Sequence, residues 1–354
     1  MNSNNQEPTI QASVKEAYEE KSAVQIIAGN SKSFYGRQIQ QQPLDVSIHH
    51  GIVNYHPSEL VVTARSGTSL KELQTLLAEQ GQMLAFEPPH FSETATLGGT
   101  IACGFSGPRR PFTGSARDFM LGCKILTGRG EILSFGGEVM KNVAGYDVSR
   151  LMVGALGTLG ILLEISLKVL PLPECETTIF FQLEEQQAIE TMADLQLQGR
   201  LISGLCFDEG ILYVRLSGSE KAVKSEINNL GGEKLKNSKA FWQNLCEQQL
   251  EFFQTQKKLW RISVPPAAPV IKADGEWFYD WGGALRWLKT NADEAKVFEM
   301  AQQKNGHAVL FRNSGIANDI FQPLSAGIRL IHQNLKRAFD PANILNPNKM
   351  YSDW

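Results

Sequence analysis

The first third of the chain alternates between strand-like and helix-like patterns of apolar positions. Val24–Ile27 is a short β-branched run that predicts a buried strand. Ser69 and Glu72 form a capping box, and the leucine spacing after Ser69 predicts an amphipathic helix. Two further strand patterns span residues 44–48 and 60–64. This alternation predicts an α+β arrangement with a small, partly parallel sheet.

Glycine is concentrated in the segment from Gly98 to Gly160, which holds 14 of the 31 glycines in the chain. The same segment carries seven basic and four acidic residues, a local charge of +3 in a chain whose net charge is −3. Exposed N–H groups and a positive excess suit a bound phosphate or diphosphate. The alternative is a glycine-rich series of turns without a ligand. Within this segment the pattern predicts strands at 119–127 and 131–135 and a helix at 147–155, and it predicts a further strand at 161–170 directly after the segment.

The predicted strand Val24–Ile27 leads directly into Ala28–Ser33, a turn of small and polar residues. Such a turn places N–H groups and hydroxyls at the carboxyl end of a strand, where α/β folds collect ligands. A plain left-handed turn is the alternative. Neither GxGxxG nor GxxxxGK[ST] occurs in the sequence, which argues against a Rossmann domain and a P-loop.

Beyond Pro173 glycine becomes scarce and the strand and helix patterns are mixed, which predicts a second α+β domain. The predicted helices include 184–196, 220–230, 238–255 and 322–339, and the predicted strands include 177–183, 201–206, 211–216, 259–264 and 276–281. A length of 354 residues fits two domains.

Overall composition excludes several classes of protein. A pI near 6.1 argues against broad nucleic-acid binding. The five cysteines form no CxxC pair, so we expect no disulfide framework, no zinc and no iron–sulfur site in this chain. The start of the sequence is polar, unlike a signal peptide. The longest uncharged apolar run, residues 151–163, is too short to span a bilayer.

Three parts of the chain together resemble the FAD-binding domain of the PCMH type, also called the vanillyl-alcohol oxidase type. They are Ala28–Ser33, the block from Leu97 to Gly160, and the tail Asp340–Pro347. Longer runs are similar to the FAD-binding subunits of bacterial glycolate oxidase (glycolate dehydrogenase). These runs are GIVNY at 51–55, GPRRP at 107–111, FGGEVMKNVAGYD at 135–147, DWGGALRWL at 280–288 and GHA at 306–308.

The resemblance implies an α+β fold in which an FAD-binding PCMH-type domain of two α+β subdomains carries an α+β cap domain. It implies that residues 1–173 form the FAD domain and residues 174–315 form the cap. Residues 316–354 would then form a C-terminal segment that returns to the FAD domain.

The resemblance also implies where FAD binds. The first loop and the Leu97 block would hold the diphosphate and ribityl chain, and the stretch around Gly157 would lie near the adenine half. The cofactor-binding residues predicted in this way are Gly29, Asn30, Ser31, Lys32, Ser33, Leu97, Gly98, Gly99, Ala102, Gly104, Gly107, Arg117, Lys141, Tyr146, Gly157, Gly160 and Ile161. For Lys141 and Tyr146 a purely structural hairpin is the alternative. The first loop contains no His or Cys, so we expect non-covalent FAD, and without an HxH pair we expect no metal.

Oxidation of a 2-hydroxy acid needs a base for the hydroxyl proton and a cation for the carboxylate. The candidates in the cap are His307, Arg261, Arg286 and Arg312, of which the first three are preferred. A structural role is the alternative for each of them, and the catalytic base is left open by the sequence.

The resemblance implies an FAD-binding subunit of a glycolate oxidase complex, which oxidises glycolate to glyoxylate and passes electrons through flavin to an iron–sulfur subunit. A second, larger FAD-binding subunit would complete it. We expect a cytoplasmic location, peripheral on the inner face of the cytoplasmic membrane through the complex. Two alternatives remain: a self-sufficient D-lactate-like 2-hydroxyacid dehydrogenase, and a scaffold that has lost its flavin.

Overall fold

A computed structural model describes residues 4–137, 147–313 and 320–354. The contacts of the chain define two compact units. The first unit comprises Met1–Phe105, Ser115–Leu172 and Pro323–Trp354, and the second comprises Ser106–Gly114 and Pro173–Gln322. The assignment of these units as an FAD domain and its cap stays a prediction.

The helices of the described ranges are named α1 to α11 in chain order. They span Glu7–Glu20, Leu70–Glu79, Leu97–Cys103, Arg110–Thr113, Ala116–Phe119, Val148–Leu151, Glu185–Leu197, Glu220–Leu230, Ser238–Cys246, Glu294–Gln303 and Ala326–Phe339. Short 3₁₀ turns span Pro57–Glu59, Glu251–Phe253 and Trp281–Gly283.

The strands of the same ranges are β1 to β17. They span Val24–Ile27, Gln42–Asp45, Ile52–His56, Val61–Arg65, Gln82–Met83, Met120–Leu126, Ile132–Gly136, Ile161–Lys168, Leu170–Pro171, Cys175–Gln182, Ile202–Asp208, Ile211–Gly218, Glu233–Lys234, Leu259–Ser263, Glu276–Asp280, Leu285–Lys289 and His307–Arg312. The mixture of helices and strands in both units confirms the predicted α+β class.

The first unit contains a parallel pair, β1 and β2, and a five-stranded antiparallel sheet in the order β3-β4-β8-β6-β7. Strand β8 is buried along most of its length because apolar clusters cover both of its faces. On one face Leu162 and Ile165 pack with the leucines of α2 and with α3. On the other face Ile161 and Leu163 pack with α1 and with Leu345 of the tail.

The second unit is built on an antiparallel eight-stranded sheet in the order β13-β10-β12-β11-β15-β16-β14-β17. Helix α7 packs on this sheet through Ala188, Ile189, Met192 and Leu195. The segment Ser106–Gly114 joins this unit through Arg109, which forms an ion pair with Glu176, and through Gly107, whose carbonyl accepts a 3.0 Å hydrogen bond from Trp281 Nε1.

Several predicted elements end early where the backbone takes a left-handed conformation. The helix predicted for 238–255 stops at Cys246, and Gln248 has a φ of 54°. The helix predicted for 147–155 covers only Val148–Leu151, and Gly154 follows with a φ of 84°. Such a conformation interrupts the helical hydrogen-bond ladder, and the apolar periodicity alone did not reveal it.

The C-terminal tail is fixed to the first unit by a buried ion pair within and after α11. The Lys336 ammonium donates to Asp340 Oδ2 at 2.6 Å, to the Thr158 carbonyl at 2.8 Å and to the Leu345 carbonyl at 2.8 Å. The Asp340 carboxylate also accepts from the amides of Ile344 and Leu345, at 3.1 and 2.8 Å. All three N–H donors of the ammonium are therefore used, which offsets the cost of burying the charge.

We expect Lys336→Met to lower the free energy of unfolding by about 3–5 kcal/mol, because the Asp340 charge would stay buried without its partner. Urea denaturation followed by circular dichroism measures the loss. The matched control is Lys71→Met, which breaks the exposed 2.6 Å pair with Glu93 in the same unit. That change should leave the unfolding transition where it is. Equal effects of the two variants would contradict the structural role of Lys336.

Candidate functional site

A cleft of the first unit is lined by the loop after β1, by α3, by the turn before β8 and by the C-terminal tail. Its empty volume is about 1050 Å³, including the space open to solvent. The predicted cofactor residues that line it are Gly29, Asn30, Ser31, Lys32, Ser33, Gly98, Gly99, Ala102, Gly157, Gly160 and Ile161. The fold thus brings together residues from three separate parts of the sequence.

The other predicted cofactor residues lie elsewhere. Leu97 is buried in the core cluster between α3 and the sheet, and Gly104 ends α3 in a left-handed conformation with a φ of 66°. Gly107 belongs to the second unit, and Arg117 is exposed on α5. Lys141 and Tyr146 lie outside the described residues, as does Asn142 between them.

Two of the cleft glycines are required by close packing of the chain against itself. A Cβ on Gly29 would lie 1.5 Å from the Thr94 carbonyl oxygen. A Cβ on Gly98 would lie 2.6 Å from Ser66 Cβ, and the Gly98 amide donates to the Ser66 carbonyl at 2.7 Å. Only glycine fits at either place, and these contacts set the width of the cleft.

Gly99 differs from these two because a Cβ there would crowd a single side-chain oxygen and no other segment of backbone. A Cβ there would meet only Thr96 Oγ1, at 3.2 Å, beyond the backbone of its own helix. Thr96 is the N-cap residue of α3 and accepts from the Gly99 amide. The absence of a side chain at Gly99 therefore leaves space in the cleft, with only the Thr96 hydroxyl close by.

Several polar groups of the cleft have no partner in the described part of the chain. The Ser66 hydroxyl is buried and makes no hydrogen bond there. The amides of Asn30 and Ser31 likewise find no acceptor among the described residues. Buried polar groups normally have partners, so the Ser66 hydroxyl fits a polar ligand. The amides of Asn30 and Ser31 lie in more accessible parts of the loop and are free to donate to the same ligand. The space at Gly99 and these groups together fit the diphosphate and ribityl portions of FAD.

The cleft is positively charged, with Lys32 and Lys349 in its lining and no Asp or Glu among the described lining residues. Lys32 is 7% exposed, and its ammonium donates to Ser31 Oγ and to the His90 carbonyl, both at 3.1 Å. Lys349 was missed by sequence reasoning. Its ammonium donates to the Arg37 carbonyl at 3.1 Å, and burial lowers its pKa.

Cys103 lies between these charges in the cleft lining. Although the residue is only half-buried, desolvation of the thiol raises its pKa to about 11, and the charges of Lys32 and Lys349 oppose this shift without overcoming it. The thiol is therefore protonated at neutral pH and is a poor nucleophile.

Asn346 was also missed, and it connects the tail to two walls of the cleft. Its Oδ1 accepts from the Ile26 amide at 2.8 Å, and its Nδ2 donates to the Leu156 carbonyl at 2.8 Å. The turn at Leu156 and Gly157 is left-handed at both residues, with φ of 52° and 72°. Asn346 thereby holds an unfavourable backbone conformation in place at the edge of the cleft. The only signal in the sequence was its position in the tail motif.

The predicted catalytic residues lie in the second unit, on two faces of its sheet. Arg261 and Ser263 of β14 point to one face, and His307 of β17 pairs with Ser263, so Arg261 and the exposed His307 share that face. Arg286 pairs with Ile262 and lies on the opposite face. It is completely buried, and its guanidinium donates to the carbonyls of Gly283, Pro269 and Ala268.

Within residues 4–137, 147–313 and 320–354, no group of three or more His, Cys, Asp or Glu side chains is positioned to hold a metal ion. The helices of these ranges include none with the length and apolar character needed to cross a membrane.

Comparison with known proteins places these features in a family. A family model described as an FAD binding domain matches residues 5–136. Glycolate oxidase subunit GlcE of Escherichia coli (strain K12) is 49% identical over 340 residues, which cover 96% of both chains. Glycolate oxidase subunit GlcD of Bacillus subtilis (strain 168) is 33% identical over 41% of this chain and 31% of its own length. D-lactate dehydrogenase of Anaerostipes hadrus is 34% identical over 38% of this chain and 28% of its own.

Two solved structures share the fold at low sequence identity. p-Cresol methylhydroxylase with substrate bound superposes with a TM-score of 0.75 at 14% identity, over 98% of this chain and 87% of its own. Alkyldihydroxyacetonephosphate synthase superposes with a TM-score of 0.65 at 15% identity, over 96% of this chain and 74% of its own. The predicted PCMH-type fold is confirmed.

The family match also confirms FAD as the cofactor and the oxidoreductase class, whereas non-covalent attachment stays a prediction. The chain belongs to the family of glycolate oxidase subunit GlcE, whose members are FAD-binding oxidoreductases.

Proposed function

We propose that this chain is the FAD-binding subunit of a complex that oxidises glycolate to glyoxylate, with electrons passed through flavin to an iron–sulfur subunit. A second, larger FAD-binding subunit completes the complex. The observation that carries this proposal is the cationic cleft of the first unit, which combines open space with unpartnered donors. Similarity to a protein named as a glycolate oxidase subunit supports the substrate.

The residues of the cleft bind and orient the cofactor. The amides of Asn30 and Ser31 donate to phosphate oxygens, and Lys32 adds a positive charge beside them. The Ser66 hydroxyl pairs with a polar group of the ribityl chain, and Gly99 leaves room for the chain to approach the backbone of α3. Bound FAD supplies the two-electron acceptor that oxidation of a 2-hydroxy acid requires.

The proposed complex leads to an expectation for the cellular location of this chain. We expect this chain in the cytoplasm, and peripheral on the inner face of the cytoplasmic membrane only through its partner subunits. In cells that contain the partner subunits, we expect fractionation to recover the chain with the membranes. In cells that lack them, we expect it in the supernatant.

We expect Gly99→Ala to weaken FAD binding about tenfold or more, because the added methyl group occupies space that the cofactor needs. Thermal stability without FAD should not fall, since alanine favours the helix. Titration of flavin-stripped protein with FAD measures the affinity. The matched control is Gly327→Ala in α11, where a Cβ meets nothing within 4 Å. A variant at Gly99 that binds FAD as tightly as the wild type would show that the cofactor lies elsewhere.

FAD is bound without a covalent link. Among the described residues, those that line the cleft include no histidine and one cysteine, Cys103, whose pKa burial raises to about 11. We therefore expect acid precipitation of the purified protein to release all flavin into the supernatant, as measured by its absorbance at neutral pH. Flavin fluorescence that stays with the polypeptide on a denaturing gel would contradict this prediction.

A second candidate function is a self-sufficient dehydrogenase for a 2-hydroxy acid. The shared face of Arg261 and His307 favours it, because a guanidinium can bind a carboxylate while an imidazole takes the hydroxyl proton. Conversion of glycolate to glyoxylate removes two electrons and two protons, one of which His307 would accept. Arg286 is less suited to this chemistry, since main-chain carbonyls already occupy its guanidinium.

Anaerobic addition of glycolate or D-lactate separates the two candidates. We expect the flavin of the isolated chain to stay oxidised and that of the assembled complex to bleach. Bleaching of the isolated chain would favour the self-sufficient enzyme, and Arg261→Met should then abolish the bleaching while the oxidised flavin spectrum stays unchanged. Arg329→Met, a change of an exposed arginine in α11, is the control.

A further inference from the structure

Lys349 carries a positive charge into the cleft from the C-terminal tail, beyond the residues that the FAD-binding family model matches. Its ammonium has one hydrogen bond, to the Arg37 carbonyl at 3.1 Å, among the described residues. In that part of the chain no carboxylate lies within ion-pair distance of it. Two of its three N–H donors are therefore available to a ligand.

A partly buried ammonium without a counter-ion is unfavourable in a folded protein. Burial lowers the pKa of Lys349, because removal from water disfavours the charged form. The nearby Lys336 shows the contrast, since its ammonium is paired with Asp340 and two carbonyls. All three N–H donors of Lys336 therefore have partners within the protein, whereas Lys349 uses one of its three among the described residues.

The surroundings of Lys349 specify the ligand it suits. Lys32, Cys103 and Lys349 all line the same cleft, so the two ammonium groups belong to one site. Lys32 comes from the loop after β1, whose Asn30 and Ser31 amides have no acceptor in the described chain. Two cations and available amides in one cleft match a dianion with several acceptor oxygens.

The main chain of the tail holds Lys349 in this position. The Arg37 amide donates to the Lys349 carbonyl at 2.9 Å, and a Cβ on Gly36 would lie 3.0 Å from that carbonyl oxygen. The backbones of the two segments are thus in close contact, and Gly36 has a φ of 77°. The side chain is positioned by hydrogen bonds that do not involve its charge.

We infer that Lys349 is a cofactor-binding residue that neutralises the diphosphate of FAD together with the first loop, so that the C-terminal tail forms part of the cofactor site. This inference rests on the proposed function, because it takes the cleft as the FAD site. It adds the tail to the segments that bind FAD. It also predicts that removal of the Lys349 charge weakens binding of the diphosphate portion and leaves binding of the adenosine portion unchanged.

The test compares ADP, which contains the diphosphate, with adenosine, which lacks it. ADP should raise the melting temperature of flavin-stripped wild-type protein more than adenosine does. In Lys349→Met the difference between the two ligands should become clearly smaller, because only Lys32 and the loop amides are left to bind the diphosphate. The Kd for FAD should rise about 10- to 100-fold, the range of a charge-assisted hydrogen bond. Lys349→Arg should restore most of the FAD affinity.

The control is Arg329→Met, which breaks the exposed 2.6 Å pair between the tail residue Asp353 and α11 outside the cleft. It should leave the Kd for FAD and the response to ADP unchanged. Equal loss of ADP and adenosine binding in Lys349→Met, or no loss of either, would overturn the inference. If the wild-type protein contains no flavin and none of these ligands changes its melting temperature, the proposed function fails as well.

Discussion

The buried ammonium of Lys336 joins the C-terminal segment of the first unit to a turn 178 positions away in the sequence. It bonds the turn before β8 through Thr158 and the tail through Leu345, and it pairs with Asp340 at the end of α11. The order of the cleft depends on this group, because both the turn and the tail contribute to the cleft lining. A buried charge is tolerated here only because every donor is used.

The glycines of the first unit serve two different physical purposes. Gly29 and Gly98 allow two segments of backbone to touch, and a side chain at either place would collide with the chain itself. Gly99 faces space that the protein leaves unfilled. The concentration of glycine in the sequence therefore combines a requirement of packing with a requirement of binding. Gly29 and Gly98 allow the walls of the cleft to pack against the rest of the unit, and Gly99 leaves space within the cleft.

The positive charges of the cleft come from two separate segments of the first unit. Lys32 comes from the first loop and Lys349 from the tail, and the described lining contains no carboxylate to neutralise them. Such an arrangement favours an anionic ligand over a neutral one by long-range attraction as well as by direct contact. Cys103, which lies among these charges, stays a neutral thiol because desolvation outweighs their influence.

The sequence by itself determined the family, the α+β class and the local elements with strong signals. The capping box at Ser69 is present, with Ser69 accepting from the Glu72 amide, and the loop after β1 lines the cleft as its composition indicated. These features depend on residues within a few positions of one another, so a single sequence reveals them. Single left-handed residues such as Gln248, which shortened α9, left no comparable signal.

Only the tertiary structure decided which residues share the cleft and which leave it. Asn346 bonds Ile26 across a separation of 320 positions, and no local pattern predicts such a contact. Gly107 belongs to the second unit, and Arg286 is turned inward to carbonyl groups, although both stand in motifs that suggested a site. The physical reason is that topology and packing set long-range contacts, and these depend on the whole chain rather than on any one stretch of it.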